Sequence, residues 1–578
     1  MQFLRGQKYF WQLPPFDTQQ VFSIASSYNL SVPIAHTLFS RGYVDRHLID
    51  DFLFSSFEKD VSDAVQLKDA QKAVERILRA IKNKEKILIF GDYDVDGITS
   101  SALMMISLLP LGAQINFFIP NRVRDGYGLS TKVVERAAQN GYSLIITVDN
   151  GITAFEPALK AKELGIDLII TDHHRPHDHL PDAFAIVNPN QNDCEYPFKL
   201  FAGVGVIFKV LSLLYQQLKK ELPAKAYELL LLGTIADVVP LLGENRFWVR
   251  HGLSYINKIQ SKSFVALKQN GKIQKPYIDS TDIGFNITPQ INALGRLEDP
   301  RQAVGFLIGA DEAEIQEVAR VLFELNQARK DIEKDILAQV VAQVEQKKID
   351  VEKENIIIAA SSGWPPGVIG LVASRLVGLY GKPTILLHVT KNGIAKGSCR
   401  SIPEFNMFDA LNANSDVLHQ FGGHSQAAGL SLPTDNIPKL KERLEALIAE
   451  QLTPFDLKQK IVLDAQIKLA DVTNKFFDDL NQLQPFGHGN HQPLFHVDDV
   501  VLIQPPQLLK NAHVKCSIFA DGIIKPLIFF NRPEIFDLLI AHQQEPFTIA
   551  ATVGQNYWNG KTTTQLYGTD IAISKENS

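Results

Sequence analysis

The residues best suited to chemistry in this sequence are acidic and regularly spaced. Gly91-Asp92-Tyr93-Asp94-Val95-Asp96-Gly97 sets three carboxylates at alternating positions, directly after the apolar run Ile87-Leu88-Ile89-Phe90. On an extended chain the three would share one face. Like charges that close repel one another unless a cation lies among them. Calcium loops also alternate Asp before Gly, but they follow a helix and end on a bidentate acid at the twelfth position. Here the preceding residues read as strand, and the twelfth position counted from Asp92 is Leu103. A solvated acidic turn is the bland alternative.

Three further motifs shift that balance. Val148-Asp149-Asn150-Gly151 and Thr171-Asp172-His173-His174 each end an apolar run, and Ala236-Asp237-Val238-Val239 ends a helix-like segment. Any one of these could be a cap or a satisfied polar group. Together they put acids and imidazoles at the C-terminal ends of three strands, the edge where open α/β sheets bind ligands. Carboxylates with imidazoles and no thiolates suit Mn²⁺ or Mg²⁺. There are ligands enough for two ions, which points to two-metal phosphoester hydrolysis. Cys194, Cys399 and Cys516 lie far apart and form no CxxC pair, so a thiolate zinc site and a disulfide framework are not expected.

The elements that must hold these residues read as a regular alternation. Short apolar runs at 86–91, 115–120, 144–148, 168–171 and 184–187 alternate with helical stretches, the pattern of a parallel sheet covered on both faces. Residues 311–348 contain no Gly or Pro and repeat apolar positions at helical spacing. As one helix they would span about 57 Å. A second, Gly-rich α/β unit begins at 355–360, and from about 454 short β-type runs indicate a small barrel.

The 578 residues are 45% hydrophobic and 21% charged, which fits several globular domains and excludes a mostly disordered chain. No apolar stretch is long enough for a membrane span and the N-terminus has no signal-peptide pattern, so a cytoplasmic location without membrane attachment is expected. The net charge of −6 means that any nucleic-acid contact must rest on local basic surface.

With these motifs assembled, the chain resembles the DHH phosphoesterase superfamily, whose four motifs the acidic and histidine segments match in order and context. Asp125-Gly126-Tyr127-Gly128-Leu129, Ala202-Gly203-Val204-Gly205, Asn292-Ala293-Leu294-Gly295-Arg296, Gly367-Val368-Ile369-Gly370, Gly397-Ser398-Cys399-Arg400-Ser401, Phe421-Gly422-Gly423-His424 and Pro485-Phe486-Gly487-His488-Gly489-Asn490 extend the match. They are similar to the single-strand-specific 5′→3′ DNA exonucleases of that superfamily. The resemblance runs from about residue 40 to the end. The chain departs from the usual pattern at Pro365 (usually His), Gln290 (often Arg) and His491 (usually Pro), and the first two fall where the resemblance places substrate-facing loops.

The resemblance implies an α/β architecture: a helical arm at 1–50, a DHH parallel-sheet domain at 51–300, a connecting helix at 301–350, a DHH-associated α/β domain at 351–452 and an OB-fold-like β-barrel at 453–578. It implies two Mn²⁺ or Mg²⁺ ions on Asp94, Asp96, Asp149, His173 and Asp237, with Asp149 bridging. Asp92 is a ligand or supporting carboxylate, and His174 meets the scissile phosphate. Arg122, Asn292, Arg296, Ser398, Arg400 and His424 are the expected substrate-binding residues, Ser398 and Arg400 forming a pocket for a 5′-phosphate. The implied reaction is hydrolysis of single-stranded DNA from its 5′ end, in DNA recombination and repair. Single-strand-binding protein and a DNA helicase are the implied protein partners, and the implied state is a monomer. Tyr557 and Trp558 are candidates for base stacking. The barrel is expected to add affinity without chemistry, so a chain ending near 452 should still cut short strands. Two alternatives remain: another superfamily phosphodiesterase acting on short oligonucleotides, and a DNA-binding scaffold that has lost catalysis.

Overall fold

The computed structural model describes residues 2–121, 126, 128–309, 311–558 and 561–573. Its contacts divide the chain into two units. One comprises Tyr43–Asn326 with Asp478–Gln492. The other holds the residues up to Gly42, Gln327–Phe477 and the chain from Pro493 on.

The first unit is built on a five-stranded sheet in the order Gln114–Phe118, Lys86–Gly91, Tyr142–Val148, Asp167–Thr171 and Ala185–Val187. Every neighbouring pair is parallel. Side chains alternate across a strand, and the sequence loads both faces. Ile87, Ile89, Leu144, Ile146, Val148 and Ile169 enter one core, with helices Ala70–Asn83, Val95–Leu108 and Gly203–Gln217. Leu88, Phe90, Ile145, Leu168 and Ile170 enter the other, against Thr131–Gln139 and Phe155–Glu163. The continuous apolar runs are thus strands buried on two sides.

The second unit contains a mixed sheet ordered Gln420–Gly423, Ala427–Pro433, Ile394–Arg400, Thr384–Val389 and Ile357–Ser361, parallel only at its last pair. Its C-terminal part is a barrel. Phe495–Leu502, Phe547–Trp558, Lys561–Ile573, Ile523–Phe529 and His513–Ala520 pair in that order, and the Val501–Phe519 pairing closes the ring. The expected α/β, long-helix and β-barrel architecture is present. The long helix is Glu312–Glu345, 34 residues and about 51 Å.

The N-terminal segment departs from the helical expectation. Phe3–Arg5 and Phe10–Gln12 are strands, paired with each other and with Lys460–Val462. Helices begin only at Thr18. Strands of three residues are too short to show a period. What orders them is distant: Trp11 is fully buried and its indole N–H donates to Asp570 at 2.9 Å.

Candidate metal centre

The acidic cluster sits at the C-terminal edge of the parallel sheet, and loop geometry shapes it. The first strand ends at Gly91, with Asp92 buried just beyond it. The chain then turns into a helix instead of running on extended. Asp94 is the N-cap of Val95–Leu108, accepting from the Gly97 N–H at 3.1 Å, and Asp96 lies in the first turn. The three carboxylates therefore do not share the face of a strand, as their spacing predicted, but line a strand-to-helix turn. Gly97 is required there, because a Cβ would stand 2.5 Å from the Asp92 backbone.

Asp96 is held from a second element. Its oxygens accept from Gly203 N–H at 2.5 Å and Val204 N–H at 2.8 Å, at the start of helix Gly203–Gln217. Asp149 follows its strand with φ of 61°, a left-handed conformation costly for a non-glycine residue. A Cβ on Gly203 would lie 2.6 Å from its Cβ. Asp237 caps the C-terminal end of Ala226–Ala236. His173 Nε2 faces Asp149 at 3.2 Å, Asp237 at 3.6 Å and Asp96 at 4.0 Å. Ligand atoms converge within 4.8 Å in three overlapping sets: Asp92, Asp94 and Asp149; Asp149, His173 and His174; Asp96, His173 and Asp237.

Carboxylates packed this closely, three of them buried, oppose one another's ionisation. Burial first, then Asp94, pushes Asp96 up to about 7, against the pull of the two amides. Burial and the neighbouring aspartates hold Asp149 and Asp237 well above the usual carboxylate range. Asp149 Oδ1 is buried and has no hydrogen-bond donor among the described residues. Oxygen and imidazole donors, shared charge repulsion and an unsatisfied buried oxygen all fit divalent cations such as Mn²⁺ or Mg²⁺.

Comparison with known proteins places this geometry. Family models match residues 86–234 (DHH family, N-terminal domain), 353–450 (DHHA1 domain) and 463–570 (RecJ OB domain). The chain is 37% identical to the single-stranded-DNA-specific exonuclease RecJ of Bacillus subtilis, over 98% of this chain and 71% of that one. The chain belongs to the RecJ family. It is 36% identical to Escherichia coli RecJ over 79% of this chain and 82% of that one. A crystal structure of Thermus thermophilus RecJ with Mn²⁺ superposes at a TM-score of 0.80 with 26% identity, covering 97% of this chain and 79% of that one.

Beyond the acidic cluster, the RecJ-family resemblance named further residues, and the structure distributes them. Asn292 and Arg296 lie on helix Thr288–Leu297, and the Asn292 side-chain oxygen accepts from Val95 N–H at 3.3 Å. Ser398 and Arg400 alternate along strand Ile394–Arg400, and both side chains converge on Gly370. A Cβ at Gly370 would be 3.2 Å from Arg400 Nη2 and 3.3 Å from Ser398 Oγ. Arg400 Nη1 donates to Cys399 O at 2.8 Å, and the nearby Glu404 pairs with Lys460 at 3.0 Å. His424 is exposed in the turn that returns to Ala427, the residue paired with Arg400. These three belong to the second unit and are not part of the sheet edge that carries the acids. Arg122, with 123–125 and Tyr127, lies outside the described residues, as does the Trp558 side chain. Tyr557 is 41% exposed. Gln290 is not on a substrate-facing loop: it is buried in a helix, donating to Leu267 O at 2.9 Å and Asn286 O at 2.6 Å. Pro365 directly precedes helix Pro366–Tyr380, at its N-cap, and His491 is exposed.

Sequence reading passed over the residues that hold the histidines. Asp172 is buried and accepts from Ile152 N–H at 2.9 Å, His173 N–H at 2.7 Å, His174 N–H at 3.0 Å and the His174 ring at 2.7 Å. Burial disfavours a charged His174, but the Asp172 bond and charge overcome it and raise its pKa to about 9. Asn188 and Asn190 donate to the carbonyls of His174 and His173, at 2.8 and 2.6 Å. An acid two residues before a histidine was a legible signal for Asp172; the asparagines carried none.

The Pro485–Asn490 loop is the larger surprise. It belongs to the metal-bearing unit, although it lies far down the chain. His488 O accepts from Leu241 N–H at 2.8 Å, just after Asp237, and Phe486 O accepts from Ser280 Oγ at 2.6 Å. The buried Arg246 guanidinium donates to Leu483 O and Gln482 O, each at 3.0 Å. A chain ending near 452 would lose all of these contacts.

Proposed function

We propose that this protein hydrolyses single-stranded DNA from its 5′ end, with two divalent cations on Asp94, Asp96, Asp149, His173 and Asp237. The observation that carries this reading is the convergence of three overlapping ligand sets on Asp149 and His173, which together would offer enough oxygen and imidazole donors for two ions. When bound, such ions neutralise the carboxylates and stabilise charge on the attacking and leaving oxygens of a phosphodiester. The chain's own part is to hold its oxygens in place. The Gly203 and Val204 amides fix Asp96, the strained turn fixes Asp149, and helix Ala226–Ala236 presents Asp237. Asp92 supports the same cluster. His174, kept protonated by Asp172, offers its ring N–H and positive charge to a phosphate oxygen.

Ser398 and Arg400, with Gly370 admitting close approach, supply a hydroxyl and a guanidinium to a 5′-terminal phosphate, which gives the polarity. Arg122, Asn292, Arg296 and His424 complete the substrate contacts. Acting on single strands, the enzyme serves DNA recombination and repair in the cytoplasm, as a monomer supplied by a helicase and single-strand-binding protein. The test is release of nucleotides from end-labelled single strands with Mn²⁺, Mg²⁺ or EDTA, comparing wild type with Asp149→Ala. Activity with either metal, none in EDTA and none in the variant is expected. A fully active Asp149→Ala protein would refute the assignment.

A further inference from the structure

Residues 258–275 contain five lysines and no acidic residue, in a chain of net charge −6. Two are neutralised: Lys262 pairs with Glu312 at 2.8 Å, and Lys275 with Asp279 and Asp282 at 2.5 and 2.6 Å. Lys258, Lys268 and Lys272 make no ion pair among the described residues. Beside them the chain exposes aromatic surface. Tyr277 is 47% exposed, and Phe285, on the π-helical turn Ile283–Ile287, is 75% exposed, the highest value among the described large apolar side chains. An isolated π-turn of this kind is often found at a functional position.

These pieces form one surface. Asn257 and Ile278 exchange hydrogen bonds of 2.9 and 2.7 Å, which sets Lys258 beside Tyr277. Gly271 approaches Asn286 so closely that a Cβ would lie 3.3 Å from its carbonyl, which sets Lys272 beside Phe285. Gln290 bonds both Leu267 O and Asn286 O, locking the turn to the helix that carries Lys268. The same turn runs directly into helix Thr288–Leu297, whose Asn292 meets the Asp92–Asp96 loop. Seven helical residues separate Phe285 from Asn292, about 10 Å at 1.5 Å per residue.

We infer that Lys258, Lys268, Lys272, Tyr277 and Phe285 form a sequence-neutral seat for the single strand, with Phe285 stacking on one base. Unpaired cations attract the phosphate backbone, and an exposed ring offers a face that any base can stack upon. The inference rests on the single-strand exonuclease reading above and adds a binding surface to it.

The test measures strand binding by the full chain in EDTA, where no strand is cut, across a range of salt. Phe285→Ala is expected to weaken binding of an intact oligothymidylate by about 5- to 140-fold with an unchanged salt slope. It should leave binding unchanged for a strand carrying an abasic site at the stacked position, found by moving that site along the strand. Lys268→Gln with Lys272→Gln should make the slope of log K against log salt shallower by about 1.4, at roughly 0.7 per phosphate contact. Phe285 and Lys272 are exposed and Lys268 is half-buried, so the variants should fold, which thermal unfolding checks. The inference is overturned if Phe285→Ala binds intact strands as wild type does, or loses equally on intact and abasic strands, or if the lysine variant keeps the wild-type slope. Wild type that neither binds nor cuts single strands would overturn the exonuclease reading itself, and this inference with it.

Discussion

Replacing Asp172 by Asn separates holding a histidine from binding a metal. The side chain keeps its shape, and its Oδ1 still accepts from His173 N–H, His174 N–H and the His174 ring. Two things change. The oxygen that accepted from Ile152 N–H at 2.9 Å becomes an NH₂ group, so two donors face each other in a buried site. An unsatisfied buried donor costs about 1–3 kcal/mol of stability. The bond to His174 also loses its charge assistance, worth about 1–2 kcal/mol, or roughly 5- to 30-fold in kcat. The pH response gives the sharper readout. In wild type His174 stays protonated until pH rises through about 9, whereas its ordinary value is 6.5. A raised imidazole pKa contributes stability that is complete below the unfolded value and lost as pH rises through the folded one. In the variant the charge should be lost nearer 6.5, so kcat should fall with rising pH in a range where wild type holds steady. Titrating the His174 ring by NMR in metal-free protein, together with kcat–pH profiles, tests this. A variant whose His174 still titrates near 9, with kcat unchanged at pH 8, would refute the reasoning.

Gly203→Ala should weaken Mn²⁺ binding about 10- to 100-fold by calorimetry, because its Cβ would stand 2.7 Å from Asp149 Oδ1 and displace a ligand. A chain ending at Leu452 should lose a cooperative unfolding transition of the metal-bearing unit. It leaves buried Arg246 without two of its acceptors, each hydrogen bond to a charged group being worth about 1.5–3 kcal/mol. Retained activity on short strands would contradict this. Arg400→Ala should cost about 10- to 150-fold in kcat/KM on 5′-phosphorylated strands and little on 5′-hydroxyl strands, as measured by paired digestions.

The identity of the metal-binding residues was legible in the sequence because carboxylates and imidazoles clustered at strand ends have few other uses. The strands were legible because two-sided burial demands unbroken apolar runs such as Ile87–Phe90, and the long helix because nothing between 311 and 348 interrupts it. Local pattern could not determine how those residues meet. The spacing of Asp92, Asp94 and Asp96 predicted one face of a strand, but the Asp94 cap and the Gly203 and Val204 amides, more than a hundred residues away, made it a turn. The place of Asp172 two residues before His174 was legible, but its burial and its bond from Ile152 N–H came only with the fold. The Pro485–Asn490 loop read as part of the barrel because the sequence places it there. It joined the metal-bearing unit through backbone carbonyls, which every residue possesses and no side-chain pattern reveals. Sequence specifies side-chain chemistry and local periodicity; contacts made by backbone groups at long range exist only once the chain is folded.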